Sequence, residues 1–273
     1  MKLSSNTADS EAIKLLQITD THLFAPEDGS LLSVQTLDSF HAVVDMVEQS
    51  AVKFEAILAT GDISQDHSVE SYQHFAAGIA PLKKPCYWLP GNHDYKPNMG
   101  SVFPSAQIEH LEHVLIGEYW QIIMLDSQVV GMPHGRLSDR QLALLDDKLT
   151  ENPDRHTLVL LHHHPVLVGS AWLDQHTLKD SEQLWQIINK HSNVKAILCG
   201  HVHQDMDREV NGVRVISTPS TCIQFKPNSD DFALDKCSPG WRELDLHSDG
   251  QLVTKVQRLP NDSFLPDFTA GGY

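Results

Sequence analysis

The sequence predicts a layered α/β protein, and three observations predict it. Short apolar runs alternate with amphipathic stretches along most of the 273 residues. Polar residues able to do chemistry gather where those runs end and are rare inside them. Toward the end of the chain the helical spacing gives way to successive strand patterns separated by turn residues.

The elements follow in order. Residues 13–18 (Ile-Lys-Leu-Leu-Gln-Ile) form an apolar run of strand length, and a loop and a helix near residues 36–49 come next. A second strand over 56–60 precedes a helix near 68–78. The third strand, 86–89, is stopped by Pro90-Gly91. Strands over 121–125 and 157–161 flank a helix that starts at Ser138, where Ser138 and Gln141 have the spacing of a capping box. A helix over 181–190 leads to a strand over 194–198. Residues 213–216, 241–246 and 252–256 read as antiparallel finishing strands, with turns at Asn211-Gly212 and Ser248-Asp249-Gly250. No repeat or linker divides the chain, so one domain over 1–273 is expected, with residues 1–12 a polar, flexible N-terminus.

Composition narrows the function. Twenty basic against 36 acidic residues give a net charge of −16, which repels nucleic-acid backbones and anionic membranes. No basic arm offsets it, and no apolar run approaches the roughly 20 residues of a membrane span. Neither a nucleic-acid nor a membrane partner is expected. The start of the chain lacks the pattern of a secretory signal. The cysteines at 86, 199, 222 and 237 lack zinc-like spacing and read as reduced thiols, so a cytoplasmic setting is expected. Oligomeric state, monomer or homodimer, is left open.

Histidine stands out at 17 residues. His41, His67, His74, His110, His113, His156, His176, His191 and His247 lie in polar or amphipathic contexts and read mostly as ordinary surface or hydrogen-bonding residues. Most of the others fall at strand ends, in Asp20-Thr21-His22, Gly91-Asn92-His93-Asp94, His162-His163-His164-Pro165 and Gly200-His201-Val202-His203, with Gly61-Asp62 between the first two. In α/β sheets ligands bind beyond the carboxyl ends of strands, so these residues converge on one edge. The set offers four imidazoles, two carboxylates and an amide oxygen. Such donors suit iron, manganese, zinc, cobalt or nickel better than magnesium or calcium.

Two ions need a bridging group, and Asp62, central in the order, suits that task. Two divalent ions, offset by Asp20, Asp62 and a bridging hydroxide, leave a charge of about +1, which attracts a phosphodiester despite the acidic surface. His93, beside Asn92, is placed to protonate a leaving alkoxide, its ring oriented by Asp94 or Asp66.

These motifs resemble those of the calcineurin-like metallophosphoesterases: D-x-H, G-D, G-N-H-[DE], a histidine at a later strand end, and G-H-x-H, in family order from about residue 13 to residue 203. The resemblance implies a four-layer α/β/β/α sandwich of two mixed sheets flanked by helices. It implies that Asp20, His22, Asp62 and His203 hold one divalent ion, and that Asp62, Asn92, His162 and His201 hold the other. Iron or manganese comes first, with zinc, cobalt or nickel as alternatives. In the triple histidine the family pattern favours His162 as ligand, with His163 the other choice.

Over the whole length the chain is similar to class III bacterial 3′,5′-cyclic AMP phosphodiesterases, through residues 16–24, 88–94, 172–176 and 220–227. This implies hydrolysis of cyclic AMP to 5′-AMP by the bridging hydroxide, lowering cellular cyclic AMP. The phosphate would be bound among His22, Asp62, Asn92, His93 and His203, with His93 catalytic and Phe225 or Trp172 stacking on the purine. The rival readings are a phosphodiesterase of the same fold acting on 2′,3′-cyclic nucleotides or other phosphodiesters, and a non-catalytic scaffold.

Overall fold

A computed structural model describes residues 2–3, 12–50, 52–260 and 262–272. Strands β1 (Lys2–Leu3), β2 (Ile13–Ile18), β3 (Ser30–Leu31) and β4 (Val34–Gln35) lead into α1 (Thr36–Gln49). Next come β5 (Ala56–Ala59), α2 (Val69–Ile79), β6 (Cys86–Trp88) and α3 (Lys96–Val102). The middle of the chain holds β7 (Ile108–Glu109), β8 (His113–Ile116), β9 (Trp120–Met124), α4 (Asp139–Glu151) and β10 (His156–Leu160). The rest is α5 (Ala171–Asp174), α6 (Ser181–Ile188), β11 (Val194–Cys199), β12 (Met206–Val210), β13 (Val213–Ser217), β14 (Gly240–Leu246) and β15 (Leu252–Arg258).

Two mixed sheets carry the fold. One runs β15-β14-β2-β5-β6-β7 and the other β1-β8-β9-β10-β11-β13-β12. The period-two alternation of side chains explains the layering. In β2 and β5, Leu16, Ile18, Ile57 and Ala59 face out and pack with Phe40, Val43, Tyr72 and Phe75 of α1 and α2. Leu15, Ala56 and Leu58 face the other way, into a core shared with Ile122, Leu158, Leu160, Ala196 and Leu198 of the second sheet. Val159, Ile197 and Val215 then face Leu145, Leu149, Leu184 and Ile188 of α4 and α6. The result is the four-layer α/β/β/α sandwich. Each such fully buried aliphatic side chain contributes roughly 1.5–3 kcal/mol relative to exposure. No helix among the described residues is long and apolar enough to cross a membrane.

The predicted elements appear with small boundary shifts, and four local expectations change. Residues 213–216 do not join an antiparallel finish: β13 pairs parallel with β11 and antiparallel with β12. β12 is an edge strand whose Asp207, Arg208 and Glu209 are exposed, so it carries no apolar run to announce it. Its Asn211-Gly212 turn has positive φ at both residues, as a tight hairpin requires. The capping box at α4 is half formed. Ser138 Oγ accepts from the Gln141 N–H at 3.3 Å, but the Gln141 side chain accepts from the Asp126 N–H instead of reaching back. Lys2–Leu3, expected within a flexible terminus, pairs parallel with β8. Residues 1 and 4–11 of that terminus lie outside the described residues.

Candidate metal centre

The ends of strands from both sheets meet at one place in the fold. Asp20 and His22 follow β2, Asp62 follows β5 and Asn92 follows β6, all in one sheet. His162 follows β10, and His201 and His203 follow β11, in the other. Backbone bonds tie these loops together: Asp20 N–H donates to Gly61 O, His22 N–H to Asp62 O and Gly200 N–H to His162 O. Five of the seven residues (Asp20, His22, Asp62, His201 and His203) have φ between 47° and 68°. Asp, Asn and His tolerate this left-handed region better than branched residues do, so the residue types suit the turns as well as the chemistry. At Gly91 a Cβ would collide with Asp62, and at Gly200 with Thr19 and Asp20, so both glycines let backbone close on the cluster.

Asp20, His22, Asp62, His162 and His203 are each at most 1% exposed, and His201 is 6% exposed. His22 Nε2 and His203 Nε2 stand 3.2 Å apart, with Asp20 Oδ1 3.4 Å from the latter. The Nδ1 atoms are committed elsewhere: His22 Nδ1 donates to Gln65 Oε1 at 2.6 Å and His203 Nδ1 to Ile223 O at 2.9 Å. Both Nε2 atoms therefore present lone pairs to each other, an arrangement that a shared cation relieves. In the second group His162 Nε2 lies 3.1 Å from Asp62 Oδ2 and 3.2 Å from Asn92 Oδ1, while its Nδ1 donates to Thr60 O at 2.7 Å. His201 Nε2 is buried and, among the described residues, has no hydrogen-bond partner. Asp62 belongs to both groups, its Oδ2 also 4.0 Å from His22 Nε2. Such a donor set fits two divalent ions.

The electrostatics agree. Burial works against the Asp62 charge, but His162, His93 and His22 hold its carboxyl well below the usual range. Asp20 is likewise lowered: burial works against its charge, and His203 outweighs it. Burial pushes His22 down to about 3, so its imidazole stays neutral and able to ligate. His163 and His201 are also depressed by burial and by their histidine neighbours.

Several supporting groups escaped the sequence reading. Thr19 Oγ1 donates to Asp20 Oδ2 at 2.7 Å, and the His201 N–H donates to both Asp20 oxygens at 3.0 and 3.1 Å. Asp94 accepts from the Ile63, Ser64 and Gly91 N–H groups and from the Tyr72 hydroxyl. Asp66 accepts from the Ala25 N–H and from Ser68. Both carboxylates thus build loops. His93 donates its backbone N–H to Asp62 Oδ1 at 2.7 Å, and its ring lies edge-on to His22 at 5.1 Å.

Beside the cluster opens a cavity of about 510 Å³ lined by Asn92, His93 and His201 together with Trp172, Phe225, Phe232, Met132 and Pro133. His67 and His176, read from the sequence as ordinary residues, also line it. Phe225, also on that lining, is 1% exposed and stacks on His203, with centroids 4.3 Å apart and planes 12° apart. One of its faces is thus taken by a protein imidazole, and Trp172 lies edge-on to it at 4.9 Å.

Known proteins place the chain among relatives. It is 66% identical to the 3′,5′-cyclic adenosine monophosphate phosphodiesterase CpdA of Vibrio vulnificus, with 99% of this chain and 98% of that protein covered. The Escherichia coli K12 protein of the same description is 51% identical over 96% of this chain and 95% of its own length. Among solved structures, a dimetal phosphatase from Danio rerio superposes with a TM-score of 0.69 at 14% identity, covering 91% of this chain and 96% of that one, a likeness of fold. The model of the calcineurin-like phosphoesterases matches residues 13–205. With that match spanning both halves of the strand-end cluster, the chain belongs to the calcineurin-like phosphoesterase family.

Proposed function

We propose that this chain, acting as one domain over residues 1–273, hydrolyses 3′,5′-cyclic AMP to 5′-AMP and so lowers cyclic AMP in the cytoplasm. The carrying observation is the cavity that joins Asn92, His93 and His201 to an aromatic wall. It sets polar and imidazole side chains beside aromatic ones in one cavity, and the relatives named above are described as acting on that substrate. The four cysteines are free, three of them buried, which suits a reducing compartment.

Asp20, His22, Asp62 and His203 would hold one ion, and Asp62, Asn92, His162 and His201 the other. Iron and manganese are the proposed ions, with zinc, cobalt or nickel able to substitute in this mixed donor set. Bound there, the pair supplies an activated water and charge stabilisation for displacement at phosphorus. The chain's own residues do the rest. His22, Asp62, Asn92, His93 and His203 surround the phosphate. His93, on the cavity wall, gives a proton to the departing 3′ oxygen, a task that imidazole suits near neutral pH. Trp172 and Phe232 cover the base and exclude water from one side of the site.

The test is steady-state hydrolysis by metal-quantified protein of 3′,5′-cyclic AMP, with 2′,3′-cyclic AMP and bis(p-nitrophenyl) phosphate alongside. Efficiency on 3′,5′-cyclic AMP equal to or above the others, with 5′-AMP the sole product, supports the assignment. Much slower turnover of that substrate removes it and leaves a phosphodiesterase of other specificity.

A further inference from the structure

Gln128 lies on the loop that follows β9 in the seven-stranded sheet, yet its side chain reaches the turn that follows β6 in the other sheet. Its Nε2 donates to Gly91 O at 2.7 Å and to Asp94 O at 2.5 Å. Those two carbonyls stand on either side of Asn92 and His93 in the chain, so one amide brackets both residues. Asp62 Oδ1 accepts the His93 N–H at 2.7 Å. The backbone that carries His93 is thus held at its carbonyls by Gln128 and at its N–H by Asp62.

The Gln128 amide can face the turn in one way only. Turned over, its oxygen would oppose two carbonyl oxygens, so both hydrogens of Nε2 are committed. Oε1 is left buried and, among the described residues, without a hydrogen-bond partner. A buried oxygen in that state costs stability that an apolar side chain of the same length would avoid. Local departures of this kind gather where function sets the residue.

Beyond Gln128 the chain runs directly into the cavity wall. The Arg136 N–H donates to Ser127 O at 3.0 Å, closing residues 127–136 into a loop, and the Met132 N–H donates to Val129 O at 3.1 Å near its tip. Gly131, Met132 and Pro133 of this loop line the same cavity as Asn92 and His93. We infer that Gln128 is a positioning residue for His93. From the root of a loop that walls the cavity, it holds the turn where the imidazole can reach the departing 3′ oxygen. The inference rests on the role proposed for His93 above and adds a residue that works through it.

A double-mutant cycle on the full-length, metal-loaded chain tests it with 3′,5′-cyclic AMP as substrate. Gln128→Met keeps the length of the side chain and removes both donors. It should lower kcat about 10–100-fold, with KM within about threefold of wild type and two ions still bound by elemental analysis. In His93→Asn protein the same change should cost at most about twofold, because the group it positions is gone. Hydrogen exchange of the metal-free protein gives a readout apart from turnover: exchange at residues 91–95 should rise at least about fivefold in Gln128→Met, with β10 unchanged. Gln128→Glu, whose carboxylate cannot donate, takes the same place in the cycle, so the outcome does not hang on one variant folding. Additive losses in the cycle, a loss confined to KM, or unchanged kcat in both variants overturns the inference while the role of His93 stands. Full turnover of cyclic AMP by His93→Asn protein removes both.

Discussion

His203 lies flat against Phe225, ring planes 12° apart at 4.3 Å, while its Nδ1 is bonded to the Ile223 carbonyl two residues before that phenyl ring. One short segment thus fixes both the rotation and the tilt of the imidazole. Replacing Phe225 with Leu should therefore act on the metal rather than on the base. We expect a stability loss of about 1–3 kcal/mol from imperfect packing and a metal affinity about tenfold weaker at one site. Denaturant unfolding and metal titration of the same protein check the two effects separately.

Asn92→Ala should remove one ion per chain and lower turnover at least about a hundredfold, because it deletes the amide oxygen 3.2 Å from His162 Nε2. Asn92 lies outside the apolar cores, so the protein should still fold. Elemental analysis after dialysis and circular dichroism decide the point. Full activity with two ions retained would end the proposed ligand assignment.

His93→Asn should lower kcat on 3′,5′-cyclic AMP by about 10²–10⁴ with two ions still bound. The loss should be far smaller on bis(p-nitrophenyl) phosphate, whose leaving group departs without a proton. An equal loss on both substrates would assign His93 to phosphate positioning instead of proton transfer.

Trp172→Ala should raise KM for cyclic AMP by about tenfold or more, the usual worth of one base–aromatic stack, and leave the p-nitrophenyl substrate little changed. Trp172 and Phe225 both line the cavity, but Phe225 is 1% exposed and carries His203 on one face, so Trp172 is the residue expected to carry the stack.

Metal loading should release protons. In the metal-free protein burial disfavours charged His162, but the Asp62 carboxylate 3.1 Å from its Nε2 outweighs that and pushes it up to about 9. The ring is thus protonated at pH 7, and an ion must displace that proton. A group whose free-state pKa is raised opposes loading most strongly below that pKa, so affinity should strengthen as pH rises from 7 toward 9 and level off above it. Calorimetry in buffers of different ionisation enthalpy counts the proton; affinity flat across this range would contradict the expectation.

The strands with apolar runs, the helices between them and the seven converging residues were legible because each is written in side-chain type and period. The supporting contacts were not. Thr60 and Ile223 act through backbone carbonyls, which every residue has, and Gln65 meets His22 across 43 positions of sequence. β12 was hidden because an edge strand with charged Asp207, Arg208 and Glu209 lacks an apolar run. The direction of β13 depends on which neighbour it meets, a tertiary fact. The stacking of Phe225 on His203 was not legible, since an aromatic residue in a loop does not announce whether its face meets a ligand or another side chain.

The proposed donors are divided between the two sheets, Asp20, His22, Asp62 and Asn92 on one and His162, His201 and His203 on the other. An ion held between them acts as a clasp across the sandwich. Its binding free energy becomes cohesion between halves of the molecule, roughly 2.7 kcal/mol when free ion stands at a hundred times its dissociation constant. A cell short of metal would then shorten the protein's lifetime by opening it to proteases, so that abundance and activity fall together.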